Sequence, residues 1–148
     1  MQRLPIIVFS TFVLIALDYI SKQVMLDVLK WEGIQIWGEY LGLQLSYNSG
    51  IAFSLPITGL PLQLITIILI IGLIYHYIRN EYAKNSRLLD IGYVLIFAGA
   101  ISHAYERIFF GYVIDFIAVK YFAILNFADI FISIGAILIF YVYYVRKQ

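Results

Sequence analysis

Four long apolar segments determine what this chain of 148 residues can fold into. Each has close to the 20 or so apolar residues that a helix needs to cross the hydrocarbon core of a bilayer. Since the sequence is 63% hydrophobic and only 13% charged, we predict one integral membrane domain, 1–148. The predicted spans are about 4–20, 60–78, 88–105 and 127–145.

The segment between the first two spans, about 21–59, has a different hydrophobic period. Apolar residues alternate with polar or small ones at Ile34 and Ile36, and again from Leu41 to Tyr47. This period of two predicts two short strands. The expected fold class is therefore an all-α membrane protein with four transmembrane helices and a small extracytoplasmic β-sheet between the first and second helices. Trp31 and Trp37 suit a position among the lipid headgroups.

The basic residues indicate the orientation of the chain. The polar stretch "RNEYAKNSR", 79–87, is short enough to join two antiparallel helices as a tight turn. With the N-terminus inside, the cytoplasmic side carries six of the ten basic residues. Cytoplasmic loops are enriched in Lys and Arg, so we predict cytoplasmic N- and C-termini. The six residues are Arg3, Arg79, Lys84, Arg87, Arg146 and Lys147.

Polar residues gather at the opposite, outer ends of the predicted helices. Asp18 and Lys22 stand at i and i+4, so they share one side of the first helix. Charges beside a bilayer often mark a functional site, but an ion pair alone also explains these two residues. Asn48 and Gly50 mark a turn, and an asparagine amide there could also bind a peptide backbone.

The third helix carries a second polar group. Gly99, His103 and Arg107 repeat every four residues, which places them on one helical face with Glu106 beside it. His76 stands alone in the second span, and helix packing explains it better than a metal site, which needs several converging ligands.

Two carboxylates near the last helix are the strongest candidates for chemistry. Asp115 and Asp129 can meet where the third and fourth helices emerge, because a loop connects them. Two adjacent carboxylates share a proton, so one can act as a base toward water while the other donates to a carbonyl oxygen. Asn126 and Asp129 also suit the N-terminus of a helix without any catalytic role.

Several function classes are excluded by the sequence. It has no cysteine and therefore no thiol nucleophile or cysteine metal ligand. It contains no glycine-rich phosphate loop and no basic surface for nucleic acid.

The order of these motifs resembles the lipoprotein signal peptidase family, also called signal peptidase II. The resemblance covers most of the chain. The matching elements are Asp18 with Lys22, "NSGIAFS" at 48–54, "GA" at 99–100, "ERIFFGYVIDF" at 106–116 and "NFAD" at 126–129.

The resemblance implies an aspartic endopeptidase of the bacterial cytoplasmic membrane. Such an enzyme removes the signal peptide of a diacylglyceryl-modified prolipoprotein, cutting before the lipidated cysteine, without a metal or organic cofactor. It implies that Asp115 and Asp129 are catalytic, near the extracytoplasmic leaflet. The residues expected to bind substrate or support the site are Asp18, Lys22, Asn48, Gly50, Gly99, His103, Glu106, Arg107, Asn126 and Ala128. The expected partners are lipid-modified prolipoprotein signal peptides and membrane lipids, with no nucleic acid, and we expect a monomer.

Two positions depart from the family pattern. His103 stands where an asparagine is usual, and Glu106 where an aspartate is usual. Glutamate keeps the charge, so Glu106 could still pair with Arg107 or Lys22. The departures leave open a catalytically impaired homologue that acts as a membrane binding or assembly protein. A small transporter is a further alternative, although transporters place polar groups near the bilayer midplane.

The predicted orientation can be tested with single cysteines. Asn85→Cys, in the basic turn, should react with a membrane-impermeant thiol reagent only after the cytoplasmic face is opened, whereas the control Glu39→Cys should react in intact cells. The chain has no cysteine of its own, so each label reports one position. Labelling of Asn85→Cys in intact cells would mean that the orientation is reversed.

Overall fold

The computed structural model describes residues 3–30, 32–50 and 58–145, and four helices in these ranges are long and apolar enough to cross a membrane. They are α1 (Arg3–Val28), α2 (Gly59–His76), α3 (Arg87–Phe109) and α4 (Phe127–Tyr144). The expected four helices are therefore confirmed. Trp31, Arg146, Lys147 and positions 51–54 of the "NSGIAFS" motif lie outside the described residues.

Helix α1 extends eight residues beyond the predicted end of the first span at Ile20. The charges at Asp18 and Lys22 were expected to mark the membrane boundary. Instead both side chains are buried and paired with each other at 2.7 Å. Paired, buried charges do not force the helix to leave its packing partners, and α1 therefore continues to Val28.

Among the described residues the sheet has four antiparallel strands, twice the number that we predicted. Strands β1 (Ile34–Trp37) and β2 (Leu41–Asn48) confirm the alternating pattern of the insert. Strands β3 (Val113–Val119) and β4 (Ala123–Leu125) come from the α3–α4 connection. The strand order is β1-β2-β3-β4, so the sheet is not confined to the insert between α1 and α2. Because β2 pairs with β3, the polar motif that precedes α2 lies next to the polar motif that follows α3.

The connection between α2 and α3 is largely helical, and not the tight turn that we predicted. A π-helical segment, Tyr77–Glu81, continues into a 3₁₀ turn, Tyr82–Lys84. Asn85 then adopts the left-handed conformation, with φ of 53°, and ends the helical path. Within this segment Glu81 is buried and accepts hydrogen bonds of 3.0 and 3.1 Å from Lys84 Nζ.

Helix α3 is the central helix, with α1, α2 and α4 packed around it. Glycines allow α3 and α4 to approach closely. A Cβ atom added to Gly135 would lie 2.6 Å from the Gly92 carbonyl oxygen, and one added to Gly99 would overlap the Ala128 carbonyl oxygen. Gly99 therefore serves the contact between α3 and the start of α4.

This close contact makes a stability prediction. Gly135→Ala should lower the free energy of unfolding by about 1–3 kcal/mol, because the added methyl group overpacks the α3–α4 contact. Gly72→Ala is the matched control, since nothing lies within 4 Å of a Cβ added at Gly72. Thermal unfolding in detergent, followed by circular dichroism, measures both. Equal stability of the two variants would contradict the packing described here.

Candidate active site

Asn126 holds both candidate carboxylates. Its side-chain Nδ2 donates to Asp115 Oδ1 at 2.5 Å and to the Ile114 carbonyl oxygen at 3.2 Å. Its backbone N–H donates to Asp129 Oδ2 at 3.0 Å, and its Oδ1 accepts from the Asp129 N–H at 3.1 Å. The last two bonds form a capping box, which confirms that Asn126 is the N-cap of α4. The side chain that starts the helix therefore also fixes the carboxyl group of Asp115.

The two aspartates line one cavity of about 730 Å³ between the sheet and the ends of α3 and α4. Asp115 comes from β3, where it pairs in register with Ser46 of β2, and Asp129 comes from the first turn of α4. Four other predicted site residues line the same cavity. They are Asn48, Gly50, His103 and Arg107.

Burial gives Asp115 an unusual acidity. Removal from water is the main cause that raises the pKa of Asp115 to about 6, and the nearby Asp129 carboxylate adds to this rise. Hydrogen bonds from Asn48 Nδ2, at 3.2 Å, and from Asn126 offset part of this rise in pKa, because they stabilise the ionised form. Below about pH 6 Asp115 therefore retains a proton that an ordinary aspartic acid would have lost.

His103 lies beside this pair of carboxylates. Its Nε2 is 3.3 Å from Asn126 Oδ1 and 3.6 Å from Asp129 Oδ1. A ring N–H at Nε2 can donate to the Asn126 oxygen, as an asparagine amide at this position also could. The structure thus places His103 on the side of Asn126 that faces away from Asp115 Oδ1.

Arg107 and Asn48 hold the backbone of Gly50, which forms part of the cavity wall. The Arg107 guanidinium donates to the Gly50 carbonyl oxygen at 3.1 Å, and the Gly50 N–H donates to Asn48 Oδ1 at 3.1 Å. Within the described residues, the buried Nε of Arg107 has no hydrogen-bond partner. Asn48 is the last residue of β2 and Gly50 forms an isolated bridge with Thr58, so the turn predicted at Asn48 and Gly50 stays a prediction. Asn48 links Gly50 to the Asp115 carboxyl group.

Asp18, Lys22 and Glu106 form a separate buried cluster behind the cavity. Lys22 Nζ lies 2.7 Å from Asp18 Oδ2 and 2.5 Å from Glu106 Oε2, and the three side chains are between 0% and 4% exposed. The Ala128 N–H donates to Asp18 Oδ1 at 3.0 Å. These residues fasten α1, α3 and α4 together but do not line the cavity that contains Asp115 and Asp129.

Two contacting residues were missed by the sequence analysis. Ser102 donates to Asp18, and it lies one helical turn before Glu106, so helical spacing could have indicated it. Gln63 of α2 donates to the Arg107 carbonyl oxygen at 2.7 Å, and no sequence pattern identifies that contact. Within residues 3–30, 32–50 and 58–145, no group of three or more His, Asp or Glu residues could hold a metal ion.

Comparison with solved structures places this fold among bacterial membrane enzymes. One such enzyme, solved at 1.9 Å by the in meso method, has a TM-score of 0.82 and 25% sequence identity, over 95% of this chain and 94% of its own. A second, solved at 2.3 Å by the same method, has a TM-score of 0.81 and 26% identity, over 94% of this chain and 87% of its own.

Sequence relatives are similar over nearly the whole length. A lipoprotein signal peptidase of Fusobacterium nucleatum is 32% identical, over 97% of this chain and 90% of that protein. One of Clostridium novyi is 34% identical, over 84% of this chain and 88% of that protein. The family model for signal peptidase (SPase) II matches residues 10–145. A match of this extent leads to one conclusion: the chain belongs to the signal peptidase II family.

Proposed function

We propose that this chain is a membrane aspartic endopeptidase that removes the signal peptide from diacylglyceryl-modified prolipoproteins, cutting before the lipidated cysteine. Its family membership and the names of its relatives support the substrate class. The single observation that carries the mechanism is that Asn126 donates to both carboxylates of one cavity, from its side-chain Nδ2 to Asp115 and from its backbone N–H to Asp129.

The two aspartates divide the chemistry of amide hydrolysis. Asp129, whose side chain is 30% exposed, takes a proton from a water molecule as the water oxygen attacks the scissile carbonyl carbon. Asp115, whose pKa burial raises to about 6, gives its proton to the carbonyl oxygen. When the tetrahedral intermediate collapses, Asp129 protonates the leaving nitrogen and Asp115 recovers its proton from the hydroxyl group. The C–N bond breaks, and both carboxyl groups return to their starting states.

The remaining cavity residues position the substrate and the carboxylates. Asn126 orients both acids, and His103 supports the Asn126 oxygen from the other side. Arg107 and Asn48 hold Gly50 at the cavity wall, where an extended peptide can lie beside β2. Asp18, Lys22 and Glu106 act indirectly, because they fix the first turn of α4 through the Ala128 N–H.

We propose that both termini are cytoplasmic and that the active site lies near the extracytoplasmic leaflet of the bacterial cytoplasmic membrane. Arg79, Lys84 and Arg87 lie at one end of the helices, in agreement with the positive-inside rule. At the other end the sheet exposes Trp37 and Tyr121, which are 73% and 87% accessible and suit the headgroup region. We further propose that the chain acts as a monomer and contacts membrane lipids as well as lipidated substrate.

No observation on the described residues favours either alternative function. Glu106 pairs with Lys22 at 2.5 Å, so the extra methylene group relative to aspartate does not break the buried cluster. The polar cavity lies at one end of the helices and not at their midpoint, where a transporter would bind its substrate.

The proposed function predicts that each catalytic carboxylate is essential. Asp115→Asn and Asp129→Asn should each reduce cleavage of a lipidated prolipoprotein by roughly 100- to 10,000-fold, because a positioned acid or base contributes about that much. A gel-shift assay with purified protein in detergent measures the cleavage.

Two controls make this assay decisive. Asp27→Asn changes an aspartate whose side chain is 78% exposed, and it should cleave at the normal rate. The same prolipoprotein without its diacylglyceryl group should not be cut. Near-normal turnover by both Asp115→Asn and Asp129→Asn would rule out the aspartic mechanism. If the wild-type chain does not cleave the lipidated prolipoprotein, the impaired homologue is favoured.

A further inference from the structure

A groove between α1 and α3 lies at the opposite end of the molecule from the aspartates. Its volume is about 850 Å³, and its lining belongs mainly to these two helices. The walls are apolar and face outward, since Phe9 and Val13 of α1 and Ile91 of α3 are 69%, 39% and 49% exposed. Val94 and Leu95 of α3 extend the same wall toward the middle of the helix. The catalytic proposal makes no use of this groove.

The length of the groove matches one leaflet of a bilayer. From Arg87 to Leu95 the wall on α3 spans about 12 Å, at a rise of about 1.5 Å per residue. From Arg3 to Leu14 the wall on α1 spans about 16 Å by the same rise per residue. Half of a hydrocarbon core of about 30 Å is about 15 Å. One acyl chain of a lipid therefore fits along the groove.

The mouth of the groove is polar and carries positive charge. Arg3 and Asp90 line it and pair with each other at 2.7 Å, and the Tyr77 hydroxyl also donates to Asp90 at 2.7 Å. The charge of Asp90 is thus matched. Arg87 lines the same mouth and is exposed, so it supplies a further positive charge beside the exposed amide of Asn85.

The start of α3 adds to the attraction for an anion. Within the described residues, the N-cap Ser86 makes no side-chain hydrogen bond to the first turn of α3. The N–H groups at a helix start and the helix dipole favour a phosphate, and Arg binds phosphate in bidentate geometry. Positive charge at Arg87, a helix start that Ser86 does not cap and an acyl-length apolar slot coincide at one place.

We propose that the groove between α1 and α3 binds one anionic phospholipid, with an acyl chain between the helices and the phosphate beside Arg87. The occupant is a lipid of the leaflet next to the α2–α3 connection. Charge complementarity at Arg87 selects an anionic headgroup over a zwitterionic one, and the apolar walls select a lipid over free phosphate. Basic pockets between transmembrane helices bind anionic headgroups by the same physical means.

The test measures lipid binding to the purified full chain in non-ionic detergent, by native mass spectrometry and by thermal unfolding. Phosphatidylglycerol should bind as one molecule per chain, at least tenfold more tightly than phosphatidylcholine with the same acyl chains. Arg87→Gln should weaken phosphatidylglycerol binding about tenfold, the effect of losing a hydrogen-bonded charge. Arg79→Gln, which removes an exposed arginine outside the groove, should change it less than twofold.

The apolar half of the proposal has its own variants. Val13→Trp fills the groove and should weaken binding of phosphatidylglycerol, whereas Leu69→Trp, on the exposed face of α2, should not. Equal affinity for the two lipids, or equal losses in Arg87→Gln and Arg79→Gln, would overturn the proposal. So would stabilisation by inorganic phosphate alone that matches that of the lipid. The assay uses no prolipoprotein, so its outcome is independent of the peptidase proposal.

Discussion

The buried contact of Lys22 with Asp18 and Glu106 is the interaction on which the rest of the structure depends. Removing one cation and two anions from water costs free energy, unless every charge is paired and hydrogen-bonded. The Ala128 N–H and the Ser102 hydroxyl both donate further hydrogen bonds to Asp18. The positive end of the α4 dipole thereby offsets the excess negative charge. Separating α1 from α3 would leave Lys22 without its Glu106 partner.

The first turn of α4 connects this cluster to the cavity. Its Ala128 N–H reaches Asp18 on one side, while Asn126 and Asp129 face Asp115 on the other. The position of the two carboxylates is therefore determined by how one helix begins. A helix start is a rigid place for such chemistry, because its backbone N–H groups are fixed and need hydrogen-bond acceptors. The proposed catalysis follows from this arrangement together with the low exposure of Asp115.

Local sequence patterns predicted the features that depend on local structure. Apolar length revealed four helices, a period of two revealed β1 and β2, and the i,i+4 spacing of Asp18 and Lys22 revealed their ion pair. The missed features depend on distant contacts. Strand β3 is buried at its first four positions, so its sequence shows no alternation of apolar and polar residues. The separation of the Lys22 cluster from the cavity depends on Glu106, which lies 84 residues after Lys22 in the sequence.

The central claim is that burial and the nearby Asp129 carboxylate raise the pKa of Asp115, and a carbon-13 NMR titration of the Asp115 carboxyl group tests it most directly. The Asp115 signal should titrate with a pKa of about 6. Asp129→Asn should lower this pKa because it removes a neighbouring negative charge, and Asn48→Ala should raise it because it removes a donor to the ionised carboxylate. An Asp115 pKa near the ordinary value of about 3.9, unchanged in both variants, would contradict the account.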